Sequence, residues 1–231
     1  MKIAIDGYEL GSGARGVGRL THNLLVHLKD IMVEDTFLVY TKEQLGHYRF
    51  PQTKECTLPS RGGYLRWQNG PLRRALGREK PDIFIAPNYI LPLFYRGEAL
   101  LFEHDISVVS HPEWYARRYA LTRRFLTARS LARARRVVVP SEFTRSEILS
   151  WFAISPEKIL VCGYGVEEKF KRARVEDILA WRKEKGMAGK IVVGFLGALN
   201  RRRHLPLLVK GVELLRKDMP EVVLFLVGSD I

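Results

Sequence analysis

Cysteine is nearly absent from this sequence: Cys56 and Cys162 are the only two in 231 residues, far apart and without CxxC or histidine spacing. That rules out a disulfide framework, argues against a zinc site, and predicts a reduced, cytosolic setting in which both thiols are small buried hydrophobes. Long hydrophobic runs are missing as well. No apolar stretch approaches the roughly 18 residues of a spanning helix. Lys2 and Asp6 interrupt the apolar N-terminus, so neither a usual secretion signal nor an integral membrane segment is expected. Acidic residues are the scarcer charge, 25 Asp and Glu against 38 Lys and Arg, for a formal net charge of +13. Such an excess favours anionic partners such as nucleotide phosphates, phospholipid head groups or nucleic acid. Nothing else supports nucleic acid: the chain has no recognisable DNA-binding motif and no basic strands interleaved with aromatics.

What the chain does have is a core, with 46% apolar residues, arranged as short Val- and Ile-rich runs alternating with helical periodicity. That pattern predicts an α/β fold, a Rossmann-like, mostly parallel sheet with helices on both faces. The strand-like runs are Lys2–Asp6, Thr36–Thr41, Asp82–Ala86, Ala99–Glu103, Arg136–Pro140 and Lys158–Cys162. After the first, Val17, Leu20, Leu24, Leu28 and Ile31 fall on one helical face, which reads as a βαβ opening. Thr144-x-x-Glu147 ahead of Ile148, Leu149 and Trp151 reads as a capping box. Between Gly163 and Arg174 the apolar periodicity fades, so a first domain is expected over 1–165, a linker and connecting helix over 166–189, and a second Rossmann-like domain from 190 to 231.

Two places suit phosphate. Gly11-Ser-Gly13-Ala-Arg-Gly16 is a GxGxxG between a strand and a helix. However, Tyr8, Glu9 and Leu10 separate it from the strand, and the second strand ends without the acid that would bind a ribose. The alternatives are a close backbone approach to phosphate or sugar by Gly16-Val-Gly18, or a turn that simply needs glycines. The second place is Lys190-Ile-Val-Val-Gly-Phe-Leu-Gly197 running into Asn200-Arg-Arg-Arg-His204. There backbone N–H groups, a helix dipole and guanidinium forks would converge; the alternative is a solvated arginine run. Only one more strand-like run, Glu221–Gly228, follows, which reads as a second domain lacking several strands.

Taken in order, several segments resemble the family 4 retaining glycosyltransferases of the GT-B fold. They are Gly16-Val-Gly-Arg-Leu-Thr-His-Asn-Leu-Leu25, Glu103-His-Asp-Ile-Ser107 with Pro112-Glu-Trp114, Ser141-Glu-Phe-Thr-Arg145, Lys158-Ile-Leu-Val with Gly165-Val-Glu167 and Phe170, and Phe195-Leu-Gly-Ala-Leu-Asn-Arg-Arg-Arg-His204. The resemblance implies two Rossmann-like domains, a nucleotide-activated sugar as donor, no cofactor, and a glycan or lipid-linked acceptor. It implies that Gly16 and Gly18 lie against the donor diphosphate, that His104 faces the transferred sugar, and that Arg202 and Arg203 grip the leaving phosphates. Arg203 departs from the lysine usual in the family, which replaces a compact ammonium with a planar fork. The chain has no Asp-x-Asp, in agreement with metal-independent transfer. The glycine-loop segment points to GDP-mannose. The family's paired-glutamate segment and base pocket are missing, which predicts little transfer by the chain alone. The competing expectation is a non-catalytic binding protein that retains acceptor or membrane binding, self-associates through the exposed last strand, or pairs with a separate donor-domain chain. The other histidines, among them His22, His27 and His47, show no partner spacing.

One charge run stands apart. Ala116–Arg136 holds eight arginines and no acid. Read as a helix, it puts Leu121, Phe125, Ala128 and Ala132 on a buried face, with Arg118, Arg129 and Arg133 on a basic flank. An anionic membrane surface suits that flank, at about 1 kcal/mol per basic residue near the lipid, and the apolar loop Tyr89–Tyr95 could dip into the interface. This predicts a cytoplasmic protein peripheral to the membrane; the alternative is a solvated basic helix.

Overall fold

The structure is a computed structural model that describes residues 1–11, 16–45, 53–199 and 201–228, with the backbone alone for Arg201. It divides into two compact units, Met1–Tyr164 and Gly165–Ile231.

The first unit alternates strands with helices, in chain order β1 (Lys2–Asp6), α1 (Val17–Ile31), β2 (Thr36–Thr41), β3 (Thr53–Thr57), α2 (Tyr64–Trp67), α3 (Arg73–Glu79), β4 (Ile83–Ala86), β5 (Ala99–Phe102), α4 (Ser107–Ser110), α5 (Arg117–Arg133), β6 (Arg136–Val139), α6 (Glu142–Trp151) and β7 (Ile159–Val161). All seven strands run parallel in the order β3-β2-β1-β4-β5-β6-β7. Side chains alternate between the faces with the period of two that a strand imposes. Ile3, Ile5, Phe37, Val39, Phe102 and Val138 meet Leu25 of α1 on one side. Ala4, Leu38, Tyr40, Leu101, Val137 and Val139 meet Trp67, Leu76, Leu131 and Ile148 on the other.

Several local expectations change. The edge strand β3, Thr-Lys-Glu-Cys-Thr, carries no apolar run and gives no periodic signal, yet it pairs with β2 over its full length. On α1 the buried line is Gly18, Thr21 and Leu25, with Leu20, Leu24 and Leu28 partly buried and Ile31 exposed. The expected capping box on Thr144 is displaced by three residues. Ser141 is the N-cap of α6, accepting from the Thr144 amide at 3.2 Å, while Glu147 accepts from Ser110 Oγ at 3.3 Å. Cys56 is half-buried and Cys162 exposed, so neither is the buried hydrophobe expected. The largest change is on α5. Its buried residues are Ala120, Leu126, Thr127, Ser130 and Leu131, whereas Leu121 and Phe125 are 62% and 61% exposed and Ala132 is exposed too. The expected apolar stripe faces outward, because a second face, with Leu126 and Leu131 beside Ala120, Thr127 and Ser130, is the one that packs inward. In the neighbouring loop Ile90 and Leu91 are buried and only Phe94 is largely exposed.

The second unit is a βαβ arrangement preceded by a helix: α7 (Val175–Glu184), β8 (Ile191–Leu196), a short 3-10 turn (Arg201–Arg203), α8 (Leu205–Leu215) and β9 (Val222–Val227), with β8 and β9 parallel. Trp181 of α7 meets Phe225 of β9 edge-on, ring centres 5.4 Å apart.

One glycine fixes the chain's exit from β1. The Gly7 amide donates to Tyr40 O at 2.8 Å. A Cβ there would stand 2.8 Å from Leu10 Cδ1 and 3.0 Å from Tyr40 O. Gly7→Ala is expected to cost about 1–3 kcal/mol by overpacking, read as a lowered midpoint in urea unfolding; a loss below about 0.5 kcal/mol would contradict the close contact.

Candidate active site at the carboxyl edge of the sheet

In an open parallel sheet, ligands bind outside the carboxyl ends of the strands where the strand order reverses. That point here lies between β1 and β4, and polar side chains collect along the same edge. Asp6, at the end of β1, is buried; it accepts from Tyr64 Oη at 2.7 Å and from the Tyr8 amide at 3.0 Å. Gln68 Nε2 donates to Tyr64 Oη and to Ile90 O, each at 2.7 Å. Gln68 opens a π-helical turn, Gln68–Leu72, between α2 and α3; Pro71 inside it lacks the N–H of a regular helix. Burial pushes the Asp6 carboxyl up to about 6, against the opposing hydrogen bonds from Tyr64 and Tyr8.

Glu103 and His104 follow β5. Glu103 is buried, its amide donates to Val138 O at 2.9 Å, and its Oε2 makes no hydrogen bond among the described residues. Burial raises its pKa well above the carboxylate range, opposed by the charge of Arg123. Arg123 reaches in from α5: its guanidinium lies over the Tyr89 ring, 5.3 Å from the centre, and its Nε is likewise without a hydrogen bond. His104 Nε2 lies 2.7 Å from Pro87 O. A carbonyl can only accept, so the proton is on Nε2, which leaves Nδ1 to accept from the Tyr164 hydroxyl it contacts. Burial lowers the His104 pKa, with the Pro87 hydrogen bond opposing, and Tyr89 packs edge-on against the ring at 4.7 Å. Next to it, Asp105 Oδ1 accepts from the Ser107 amide at 2.9 Å. The group is a neutral imidazole of defined tautomer beside one buried and one half-buried carboxyl and one arginine, able to exchange a hydrogen bond with a hydroxyl-bearing ligand.

The glycines expected to approach phosphate open α1 at this same edge. Gly16 is its N-cap with φ 48°, a left-handed conformation that favours glycine, and no described residue lies within 4 Å of where its Cβ would be. Gly18 is buried in the first turn. Gly13 and His47 lie outside the described residues, as does Asn200. Arg202 and Arg203 belong to the second unit. They sit on the 3-10 turn between β8 and α8, Arg202 half-buried and Arg203 exposed, so α8 itself begins only at Leu205, after His204 at φ 50°. Arg118, Arg129 and Arg133 are exposed on α5. Asp6, Tyr64, Gln68, Glu103 and Arg123 were not singled out by spacing. The one signal for Asp6 was a charge inside an apolar strand; for the others a contact between distant segments is needed to see them.

The sequence profile of Glycosyltransferase Family 4 matches residues 14–170. The chain belongs to that family. No curated protein sequence matches it. Among solved structures it is similar to Anabaena Alr3699/HepE in complex with UDP and glucose, at 21% identity and a TM-score of 0.70 over 100% of this chain and 62% of that one. It is also similar to S. aureus MnaA with UDP, at 14% identity and a TM-score of 0.55 over 97% and 61% of the two chains. A third match is the UDP-GlcNAc 2-epimerase of Neisseria meningitidis bound to UDP-GlcNAc, at 13% and 0.55 over 98% and 65%. At such identities the likeness is one of fold, the Rossmann-like fold of GT-B glycosyltransferases. This family 4 chain spans 62% of the length of the HepE structure.

Two outcomes test the site's electrostatics. A carboxyl whose pKa rises on folding binds its proton more tightly in the native state, so Asp6 makes stability fall as pH climbs from about 4 to about 6. The shift is worth about 3 kcal/mol. Asp6→Asn should flatten that part of the pH–stability curve in urea titrations; an unchanged slope would contradict the burial. By NMR, His104 should titrate below the ordinary histidine range with its proton on Nε2, and Tyr164→Phe should move the midpoint upward. A midpoint indifferent to Tyr164 would remove the hydroxyl from Nδ1.

Proposed function

We propose that the chain is the acceptor-side part of a retaining glycosyltransferase, with the start of its donor side. It moves a sugar from a nucleoside diphosphate to a glycan or lipid-linked acceptor at the cytoplasmic face of the membrane. The observation that carries this reading is His104: in a family 4 chain, a half-buried histidine of fixed tautomer at the carboxyl edge of the parallel sheet. A sugar hydroxyl can take the place of Tyr164 as donor to Nδ1, so the ring would orient the reacting sugar without carrying charge. The anomeric carbon passes to an acceptor oxygen while the nucleoside diphosphate departs, and the dominant requirement is stabilisation of charge on the leaving phosphates. Arg202, Arg203 and the Gly16–Gly18 backbone are assigned that task, with no metal or cofactor invoked. HepE was solved with UDP-glucose, which makes UDP-sugars the first donors to try. GDP-mannose, suggested by the glycine-loop segment, is the second.

A second reading is a binding protein that pairs with another chain. It is favoured by the apolar surface of the second unit, where Leu196 is 83% and Leu207 71% exposed.

In the full-length protein of the source gene, Arg203→Ala should lower kcat/KM by the equivalent of about 2–4 kcal/mol, the scale of losing one preorganised charge-stabilising group. His104→Ala should impair transfer with the fold intact by circular dichroism. Release of nucleoside diphosphate and the anomeric configuration of the product, followed by NMR, check both. Full rate in both variants would exclude these residues from the reaction, and absence of transfer with every nucleotide sugar would favour the binding-protein reading.

A further inference from the structure

The outward face of α5 has a composition that water alone does not favour. At about 3.6 residues per turn, Leu121, Phe125 and Ala132 fall in one narrow strip along the middle of the exposed surface. Arg118, Arg129 and Arg133 line one side of it, and Arg117 and Arg124 the other. Phe94, 66% exposed, extends the strip: Arg129 Nε donates to Leu93 O at 2.9 Å and its guanidinium lies 5.7 Å from the Phe94 ring centre. Arg133 Nη2 reaches Tyr95 O at 3.5 Å. These two arginines therefore hold the Phe94 loop beside the helix while keeping their charge. No acid occurs between Glu113 and Glu142.

We infer that this face of α5, with the Phe94 tip, docks the protein on an anionic phospholipid surface, the rings and Leu121 entering the headgroup–acyl boundary between two rows of arginine. An apolar centre flanked on both sides by basic residues is the pattern of a helix lying in a membrane interface, where burial of apolar side chains and attraction to anionic head groups act together. A second copy of the chain does not fit, since five arginines would oppose five arginines. Nucleic acid would satisfy the arginines and leave Leu121 and Phe125 against phosphate. The inference stands on this surface alone and does not depend on the transfer reaction.

Co-sedimentation of the 231-residue chain with vesicles tests it, comparing phosphatidylcholine alone with phosphatidylcholine containing phosphatidylglycerol. The chain should bind only the anionic vesicles, and binding should weaken with salt, since exposed charges are screened beyond about 10 Å at about 0.1 M. Replacing Arg117, Arg118 and Arg124 with Gln should reduce partitioning on the order of 10- to 100-fold. The pair Leu121→Ser and Phe125→Ser should also reduce it several-fold with unfolding midpoint unchanged, because both side chains are exposed. The control Lys171→Gln, Arg172→Gln and Lys190→Gln removes equal charge elsewhere and should bind like the original chain. A Phe125→Trp variant should show blue-shifted emission on anionic vesicles. Binding that survives either set of α5 substitutions, loss in the control, equal binding to neutral vesicles, or capture by duplex DNA without vesicle binding would each overturn the assignment.

Discussion

Strand β1 is hydrogen-bonded along both sides, to β2 and to β4, and the chain leaves it for α1 before returning on the β2 side. Every later feature of the first unit depends on that central position. Because β2 lies to one side and β4 to the other, the connections diverge at its carboxyl end and open a crevice there. Gly7 lets the chain turn away without a Cβ striking Tyr40 and Leu10. Asp6, the last residue of the strand, is thereby left buried at that edge, where the Tyr8 amide and the Tyr64 hydroxyl donate to it. Tyr64 reaches it from the far segment between β3 and β4 and is itself held by Gln68 Nε2, which ties two separate stretches of chain to one buried carboxyl.

The same edge collects opposing charges in a poorly solvated setting. Asp6 and Glu103 are both pushed toward their protonated forms by burial, while Arg123 pulls Glu103 back. His104 is pushed the other way, toward the neutral ring. A neutral histidine next to acids is unusual unless desolvation outweighs attraction, as it does here. For the sugar-orienting role proposed for His104, neutrality with a known tautomer is the useful state: one nitrogen is anchored on Pro87 O and the other can trade one hydroxyl for another.

Much of the first sheet was legible because buried parallel strands are continuous apolar runs. Ile-Ala-Ile, Val-Val-Val and Leu-Leu-Phe announce themselves, and six of the seven strands carry such a signal. The edge strand β3 does not, since one of its faces needs no cover. Motif order was equally readable, and it led to family 4. Helix α5 was readable in pattern and misleading in direction. Leu121, Phe125, Ala128 and Ala132 form a genuine stripe, yet Ala120, Thr127 and Ser130 offered a smoother surface to the sheet, with Ser130 Oγ donating to Leu126 O and accepting from the Leu91 amide. Side-chain hydroxyls that become satisfied only in the folded chain are invisible to a hydrophobicity pattern. For the same reason the Asp6–Tyr64–Gln68 network and the Glu103–Arg123 pair could not be anticipated: each joins residues far apart in sequence. Gly16 and His104 stood out because their neighbours form motifs.

The central claim is that the reacting sugar meets the protein at the carboxyl edge of the seven-stranded sheet, with His104 Nδ1 as its partner. A crystal structure of the full-length protein with a non-reactive nucleotide-sugar analogue tests this most directly. The account predicts the sugar within hydrogen-bonding distance of His104 Nδ1, with the Tyr164 hydroxyl displaced and Nε2 still on Pro87 O. A sugar bound elsewhere, with Tyr164 still seated on His104, would contradict it.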